Sequence, residues 1–134
     1  MTIQTSDDMA NGMLDVFETI IGTSGRLKIR SGVAPANCAA ADTGTTLADI
    51  ALPADFMSAA AGRSKSMLGT WADNAADNTG TAAHYRFYNS AGVCKSQGSC
   101  SLAGGGGDMI LNNVSFQAGQ PFSISSFTLN DNNQ

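Results

Sequence analysis

The chain has 134 residues, 43% of them hydrophobic, which suits one domain with its own core. Only 13% of the residues are charged, about half the usual share, which is typical of surfaces covered by neighbouring subunits and also of secreted modules. The net charge of -4 argues against nucleic acid as a partner, because phosphate binding needs clustered Lys and Arg.

The N-terminal sequence MTIQTSDDMANGMLD lacks the basic start and the apolar run of a secretory signal. No apolar stretch approaches the roughly 20 residues of a membrane span. We therefore expect a soluble protein that is made in a cytoplasm and has no membrane partner.

Residues 6–21, SDDMANGMLDVFETII, have the pattern of an amphipathic helix. Ser6 is a suitable N-cap, and Gly22 would end the helix. Leu14 lies beside the apolar face, which consists of Met9, Met13, Phe17, Ile20 and Ile21. This face would pack either on the core of its own domain or, as an N-terminal arm, on another subunit.

The sequence RLKIR at residues 26–30 alternates strictly and predicts a half-buried strand with Arg26, Lys28 and Arg30 on one face. That cationic face would be solvated or would pair with an acidic neighbour. Residues 31–46 carry no period and predict a long loop, and loops of this length are often functional.

Two segments in the middle of the chain also predict strands. LADIAL at residues 47–52 suits a short strand that is closed by a proline. Residues 81–102 predict a β-hairpin, with His84, Arg86 and Tyr88 on one face of its first strand.

In the C-terminal segment PFSISSFTL, Phe122 and Ile124 alternate out of phase with Phe127 and Leu129. A β-bulge at the two serines between the pairs would turn all four side chains inward. Turn signals every 8 to 12 residues along the chain predict seven or eight short strands in total.

Four consecutive glycines at residues 104–107 raise the question of a phosphate-binding loop. Such a loop needs a Gly-Lys-Ser or Gly-Lys-Thr ending, or spaced glycines that lead into a helix. Here the run leads into Asp108 and then into the strand-like MILNN. We therefore predict a bend between two strands, at a place where backbones approach closely.

The three cysteines, Cys38, Cys94 and Cys100, are an odd number, which argues against a full disulfide framework. On one continuous strand Cys94 and Cys100 would lie about 20 Å apart, so a tight hairpin at Gln97 and Gly98 would be needed to join them. Free thiols in a reducing compartment are the expectation. No fourth ligand with suitable spacing indicates a zinc site.

Catalytic patterns are missing from the sequence. His84 is its only histidine and Glu18 its only glutamate, and there is no GxSxG nucleophile elbow. The Asp and Asn residues at 73–78 could offer oxygens to calcium, but the spacing of an EF-hand is absent. We predict no enzyme, no catalytic residue, no cofactor and no metal ion.

Taken together, AHYRFYNSAG, AGGGGDMILNN and FQAGQPFSISSFTL resemble segments of a group of small tailed-bacteriophage virion proteins. Those proteins have a hairpin with an aromatic strand, a glycine-rich bend before an Asp-led strand, and an AGQ-type turn before a final strand. RLKIRSG and LADIALP fit the same layout, so the resemblance covers most of residues 26–131. It implies a virion or head-associated structural protein.

We therefore expect a mainly β fold, a small antiparallel β-sandwich of jelly-roll type at residues 26–134, after a helical segment at residues 1–25. Among virion proteins, which the resemblance does not divide between capsid and tail, we expect a capsid decoration (cement) protein on the capsid surface. Its partners would be the major capsid protein and itself, as a dimer or trimer. The apolar helix face would form the subunit interface, and the loop at residues 31–46 would contact the capsid.

The alternative function is a tail-associated or receptor-binding structural module. In that case Trp71, Tyr85 and Tyr88 would form a platform on which a host glycan stacks. The same aromatic residues could instead belong to a β core.

Overall fold

The computed structural model describes residues 3–131 and contains one helix and nine short strands in that range. Helix α1 spans Asp7–Ile21. The strands, in chain order, are β1 Arg26–Ser31, β2 Thr46–Ala51, β3 Ser64–Ser66, β4 Ala72–Asp73, β5 Gly80–Tyr88, β6 Cys94–Ser101, β7 Met109–Leu111, β8 Ser115–Phe116 and β9 Phe122–Asn130. The prediction of a mainly β protein with an N-terminal helix is confirmed.

The strands form one curled sheet in the order β2-β1-β5-β6-β7-β9-β3, with β4 paired to β9 and β8 paired to β5. Strands β6 and β7 run parallel, whereas the other pairs are antiparallel. The sheet is therefore mixed, and the expectation of a purely antiparallel sheet is wrong at this pair. The β-sandwich of jelly-roll type is not confirmed.

The glycine run makes the parallel pairing of β6 and β7 possible. Gly104 and Gly106 have φ angles of +83° and +82°, in the left-handed region that favours glycine. A Cβ atom on Gly107 would lie 2.7 Å from the backbone nitrogen of Ser101. The chain thus turns back against the end of β6, which confirms the predicted bend with close backbone approach.

We expect Gly107→Ala to lower the free energy of unfolding by about 1–3 kcal/mol, because the added methyl group meets backbone atoms that cannot move aside. Gly12→Ala is the matched control, since a Cβ atom at Gly12 meets nothing within 4 Å and alanine favours a helix interior. Urea unfolding at submicromolar concentration measures both variants. Equal stability of the two would contradict the close approach.

Strand β9 contains the predicted bulge. Ile110 pairs with Ser126 and Leu111 pairs with Ile124, so Ser125 is the extra residue on β9. The side chains of Phe122, Ile124 and Phe127 are buried as a result, and that of Leu129 packs against the core.

The core of the curled sheet is aromatic, and Phe87 on β5 lies at its centre. Its ring centroid is 5.3 Å from that of Phe17 on α1, 5.3 Å from that of Phe127 and 5.4 Å from that of Tyr85. Trp71 lies 5.9 Å away on another side. The helix therefore packs into the same core as the sheet.

Both outer strands of the sheet have their free edges covered by the chain itself. The backbone N–H of Asp77 donates to the carbonyl of Leu47 on β2, at 2.7 Å. The backbone N–H of Ser58 donates to the carbonyl of Ser66 on β3, at 2.8 Å. A partner strand would have to displace these contacts, so the strand edges are poor docking sites.

Candidate functional site

The five helix residues predicted as a subunit interface do not lie on one surface. Ile21 is only 2% exposed, and Phe17 packs against the aromatic core. Met9 and Met13 are each 57% exposed, and Ile20 is 53% exposed. The structure therefore leaves three of the five residues available to a partner, while two are used inside the domain.

Val16, at 51% exposure, completes a row of exposed apolar side chains on the helix. We call this row the outer stripe, which consists of Met9, Met13, Val16 and Ile20. Its members follow one another at steps of four, three and four residues, the spacing of the seam between paired helices. Val16 was not among the predicted interface residues, although that spacing alone could have indicated it.

The helix is fixed in this rotation by its polar side. The Asp15 carboxylate accepts hydrogen bonds from the Ala60 backbone N–H at 2.9 Å and from the Lys65 ammonium at 2.8 Å. The Glu18 carboxylate accepts one from the Met57 backbone N–H at 2.8 Å. These bonds join the helix to the segment before β3 and leave the outer stripe facing away from the sheet.

The carboxylates of Asp15 and Glu18 line a groove of about 580 Å³, and their hydrogen bonds join the helix to the segment before β3. The hydrogen bond from Lys65 lowers the pKa of Asp15. Burial raises the pKa of Glu18, and its hydrogen bond with Asp55 raises it further. Asp15 and Glu18 each accept a backbone N–H, so both carboxylates help to hold the helix on the segment before β3.

The loop between β1 and β2, residues 32–45, folds back over the outer face of the sheet. We call it the β1–β2 loop. Arg86 of β5 is 1% exposed beneath it and donates to the carbonyls of Cys38 at 3.0 Å and Ala40 at 3.1 Å. The Arg86 guanidinium also pairs with the Asp42 carboxylate, which accepts a hydrogen bond from the Tyr88 hydroxyl at 2.6 Å.

Asp42 remains ionised in this setting despite its partial burial. Burial by itself raises the pKa of Asp42, but the hydrogen bond from Tyr88 and the charges of Arg30 and Arg86 outweigh it and lower the pKa. Burial raises the pKa of Tyr88 to about 12, and Asp42 adds to that effect. Tyr88 is therefore a hydrogen-bond donor to the loop at neutral pH.

A disulfide joins Cys38 in the β1–β2 loop to Cys94 at the start of β6, with Cα atoms 5.3 Å apart. The expectation of free thiols is wrong for these two residues, and Cys94 does not pair with Cys100. The partners are 56 residues apart in sequence and meet only because the loop crosses β5 and β6. Cys100 stays free and buried, and burial raises its pKa to about 12, so its thiol is not a nucleophile at neutral pH.

The cationic face of β1 is used within the chain. Arg26 pairs with Asp49 on β2 at 2.8 Å. Arg30 donates to the backbone of the β1–β2 loop at 2.8 Å, and the Lys28 ammonium lies 5.1 Å from the centroid of the Tyr88 ring. The structure thus gives Arg26 and Arg30 acidic neighbours, as one of the two alternatives predicted, while Lys28 contacts an aromatic ring instead.

The residues considered for catalysis are not brought together. His84 is 2% exposed under the β1–β2 loop, where its Nδ1 donates to the Gly32 carbonyl at 2.9 Å. Asp73, from the calcium alternative, accepts a hydrogen bond from the Ala75 backbone N–H at 3.0 Å. Within residues 3–131, no three His, Cys, Asp or Glu side chains are grouped so as to hold a metal ion.

The aromatic platform of the glycan alternative is not on the surface. Trp71 is fully buried, Tyr85 is 4% exposed and Tyr88 is 6% exposed. Their ring faces pack against other core side chains or lie under the β1–β2 loop, so a sugar cannot stack on them in this structure.

Comparisons with known proteins found no family model, no curated protein and no solved structure that matches the chain. The resemblance to tailed-bacteriophage virion proteins therefore stays a prediction from the sequence. In the described part of the chain, no helix is both long enough and apolar enough to cross a membrane.

Proposed function

We propose that this chain is a structural subunit of a bacteriophage particle, a capsid decoration (cement) protein that binds the head surface. The virion part of the proposal rests on the sequence resemblance. The part that concerns assembly rests on one observation, the outer stripe, in which four neighbouring apolar side chains are each more than half exposed. Contiguous apolar surface of this kind is typical of a docking site.

The β1–β2 loop is the proposed contact with the major capsid protein. Its disulfide and the Arg86 hydrogen bonds support this role, because a loop that is already ordered loses little conformational entropy when it binds. Val33 near its start is 88% exposed and offers an apolar side chain to a partner.

The proposed mechanism is mechanical. Copies that associate through the outer stripe and bind the capsid through the loop would tie neighbouring capsid subunits together by many weak contacts. The disulfide suits a particle that spends its extracellular life in an oxidising environment.

An image of the particle whose genome encodes this chain tests the role. We expect regularly repeated density for the chain on the outside of the head, and we expect heads without it to open at lower temperature. Particles that contain no copy of the chain would refute the proposal. Density in the tail would favour the alternative function over decoration.

The capsid contact is tested by Val33→Asp, which adds a charge to a side chain that touches little else. We expect its affinity for heads stripped of the chain to fall at least tenfold, because a carboxylate would have to be desolvated in the contact. Ala118→Asp, at an exposed turn elsewhere, is the matched control and should bind like the unchanged chain. Equal affinity of both variants would exclude the loop as the contact.

A further inference from the structure

We infer that two copies of this chain pair through their outer stripes as an antiparallel helix pair with two-fold symmetry. This inference deepens the proposed function, on whose self-association it rests, by naming the occupant of the stripe and its geometry. The stripe runs roughly 16 Å from Met9 to Ile20, at 1.5 Å per residue. Its 4-3-4 spacing lets the side chains of a second, similar helix interlock with it.

Two shallow grooves beside the stripe provide the holes for such interlocking. One, of about 270 Å³, is lined by Met13, Val16, Phe17, Ile20, Ile21 and Lys95. The other, of about 400 Å³, is lined by Ser6, Asp8, Met9, Gly12, Met13 and Val16. Both grooves are walled largely by apolar side chains, so the stripe of a second copy fits them chemically.

The charges at the two ends of the stripe select the antiparallel direction. Asp8 lies beside the N-terminal end and Lys95 of β6 lies beside the C-terminal end. Within residues 3–131 neither of them belongs to an ion pair. An antiparallel pair brings Asp8 towards the partner's Lys95 at both ends, whereas a parallel pair would bring like charges together.

The two-fold arrangement is also self-complementary along the stripe. With the axis midway between Met13 and Val16, Met9 faces the partner's Ile20 and Met13 faces the partner's Val16. Each contact therefore occurs twice, as in other symmetric dimers. The covered strand edges leave the stripe as the better docking surface for a second copy.

Gly12 supports a close approach of the two helices. A glycine inside a helix is destabilising, and nothing within the chain lies within 4 Å of a Cβ atom built at this position. It lies in the wall of the groove beside Met9 and Met13. The missing side chain leaves room for the partner's helix about 4 Å along the helix from the two-fold axis.

Sedimentation velocity of the full chain over about 1–300 µM tests the pairing. We expect a monomer–dimer equilibrium with a roughly micromolar Kd, since the stripe is short compared with a standard interface. Met13→Asp, at the centre of the stripe, should raise that Kd at least tenfold, while Ala118→Asp should leave it unchanged. Circular dichroism checks that both variants remain folded, and an unchanged chain that stays monomeric throughout would overturn the inference.

Charge exchange tests the direction of the helices. At low salt, Asp8→Lys and Lys95→Asp should each raise the Kd several-fold, because each places like charges at both ends of the pair. The double variant should restore most of the affinity, since opposite charges meet again. A double variant that is weaker than both single variants would contradict the antiparallel contact.

Cysteine cross-linking tests the register. An oxidised mixture of the Met9→Cys and Ile20→Cys variants should give a linked dimer of one chain of each, while neither variant alone should link. The chain's own cysteines do not interfere, because Cys38 and Cys94 are bonded and Cys100 is buried. Linkage of Met9→Cys to itself would overturn the geometry, since those positions would lie about 16 Å apart along the pair.

These outcomes separate the inference from the proposed function. A chain that is present on heads but monomeric in solution would end the pairing and leave the virion role standing. A chain that dimerises as described but is absent from particles would refute the virion role and leave the helix pairing standing.

Discussion

Arg86→Met is expected to lower the free energy of unfolding by about 2–4 kcal/mol, although Arg86 lies on the outer face of the sheet. Its side chain is 2% exposed, and its guanidinium donates several hydrogen bonds to loop carbonyls and pairs with Asp42. Methionine keeps an apolar stem of similar shape but leaves these acceptors without a donor. Urea unfolding measures the loss.

The matched control is Arg26→Met, which removes an arginine from a pair that water reaches. The side chains of Arg26 and Asp49 are 48% and 29% exposed, so this change should lower the free energy of unfolding by at most about 1 kcal/mol.

A second measurement follows the β1–β2 loop itself. Elastase, which accepts small side chains, should cut the alanine-rich β1–β2 loop faster in Arg86→Met than in Arg26→Met. Equal stability and equal cleavage would show that Arg86 does not hold the loop.

Phe87→Ala is expected to be the most destabilising single change in the core, with a loss of about 3–5 kcal/mol. Phe87 is fully buried, and the rings of Phe17, Tyr85 and Phe127 all lie within 5.4 Å of it, centroid to centroid. Truncation would leave a cavity between the helix and the sheet, which the rigid strands cannot close. Thermal and urea unfolding should both show the loss.

Leu102→Ala is a suitable control for that measurement, because Leu102 is 46% exposed in the bend after β6. Truncation of its side chain to alanine should change the free energy of unfolding by less than about 1 kcal/mol. A Phe87→Ala variant as stable as the Leu102→Ala variant would mean that Phe87 is not the centre of the core.

Local patterns in the sequence were sufficient for several elements. The helix begins after the Ser6 N-cap, whose hydroxyl accepts from the Met9 backbone N–H, and it ends before Gly22. The hairpin of β5 and β6 and the bulge at Ser125 were also predicted correctly. Each depends on side-chain periods of 3.6 or 2, or on turn residues, and these act between near neighbours in the chain.

The arrangement of the strands was not predictable in the same way. Period-2 alternation indicates which side chains of a strand face the core, but it does not say which strands are neighbours. The expected antiparallel sandwich is therefore replaced by one curled sheet with a parallel step between β6 and β7. The glycines at 104–107 indicated a tight bend without indicating the direction of the strand that follows.

By itself, the sequence determined the helix, most of the longer strands and an apolar helix face, because these follow from local periods and caps. Only the tertiary structure decided that Cys38 bonds to Cys94 and that Arg86 holds the loop, since both contacts join segments more than 40 residues apart. It also divided the helix face into a buried part and an exposed stripe. The hydrogen bonds of Asp15 and Glu18 to a distant segment set the rotation of the helix, and no local pattern encodes that rotation.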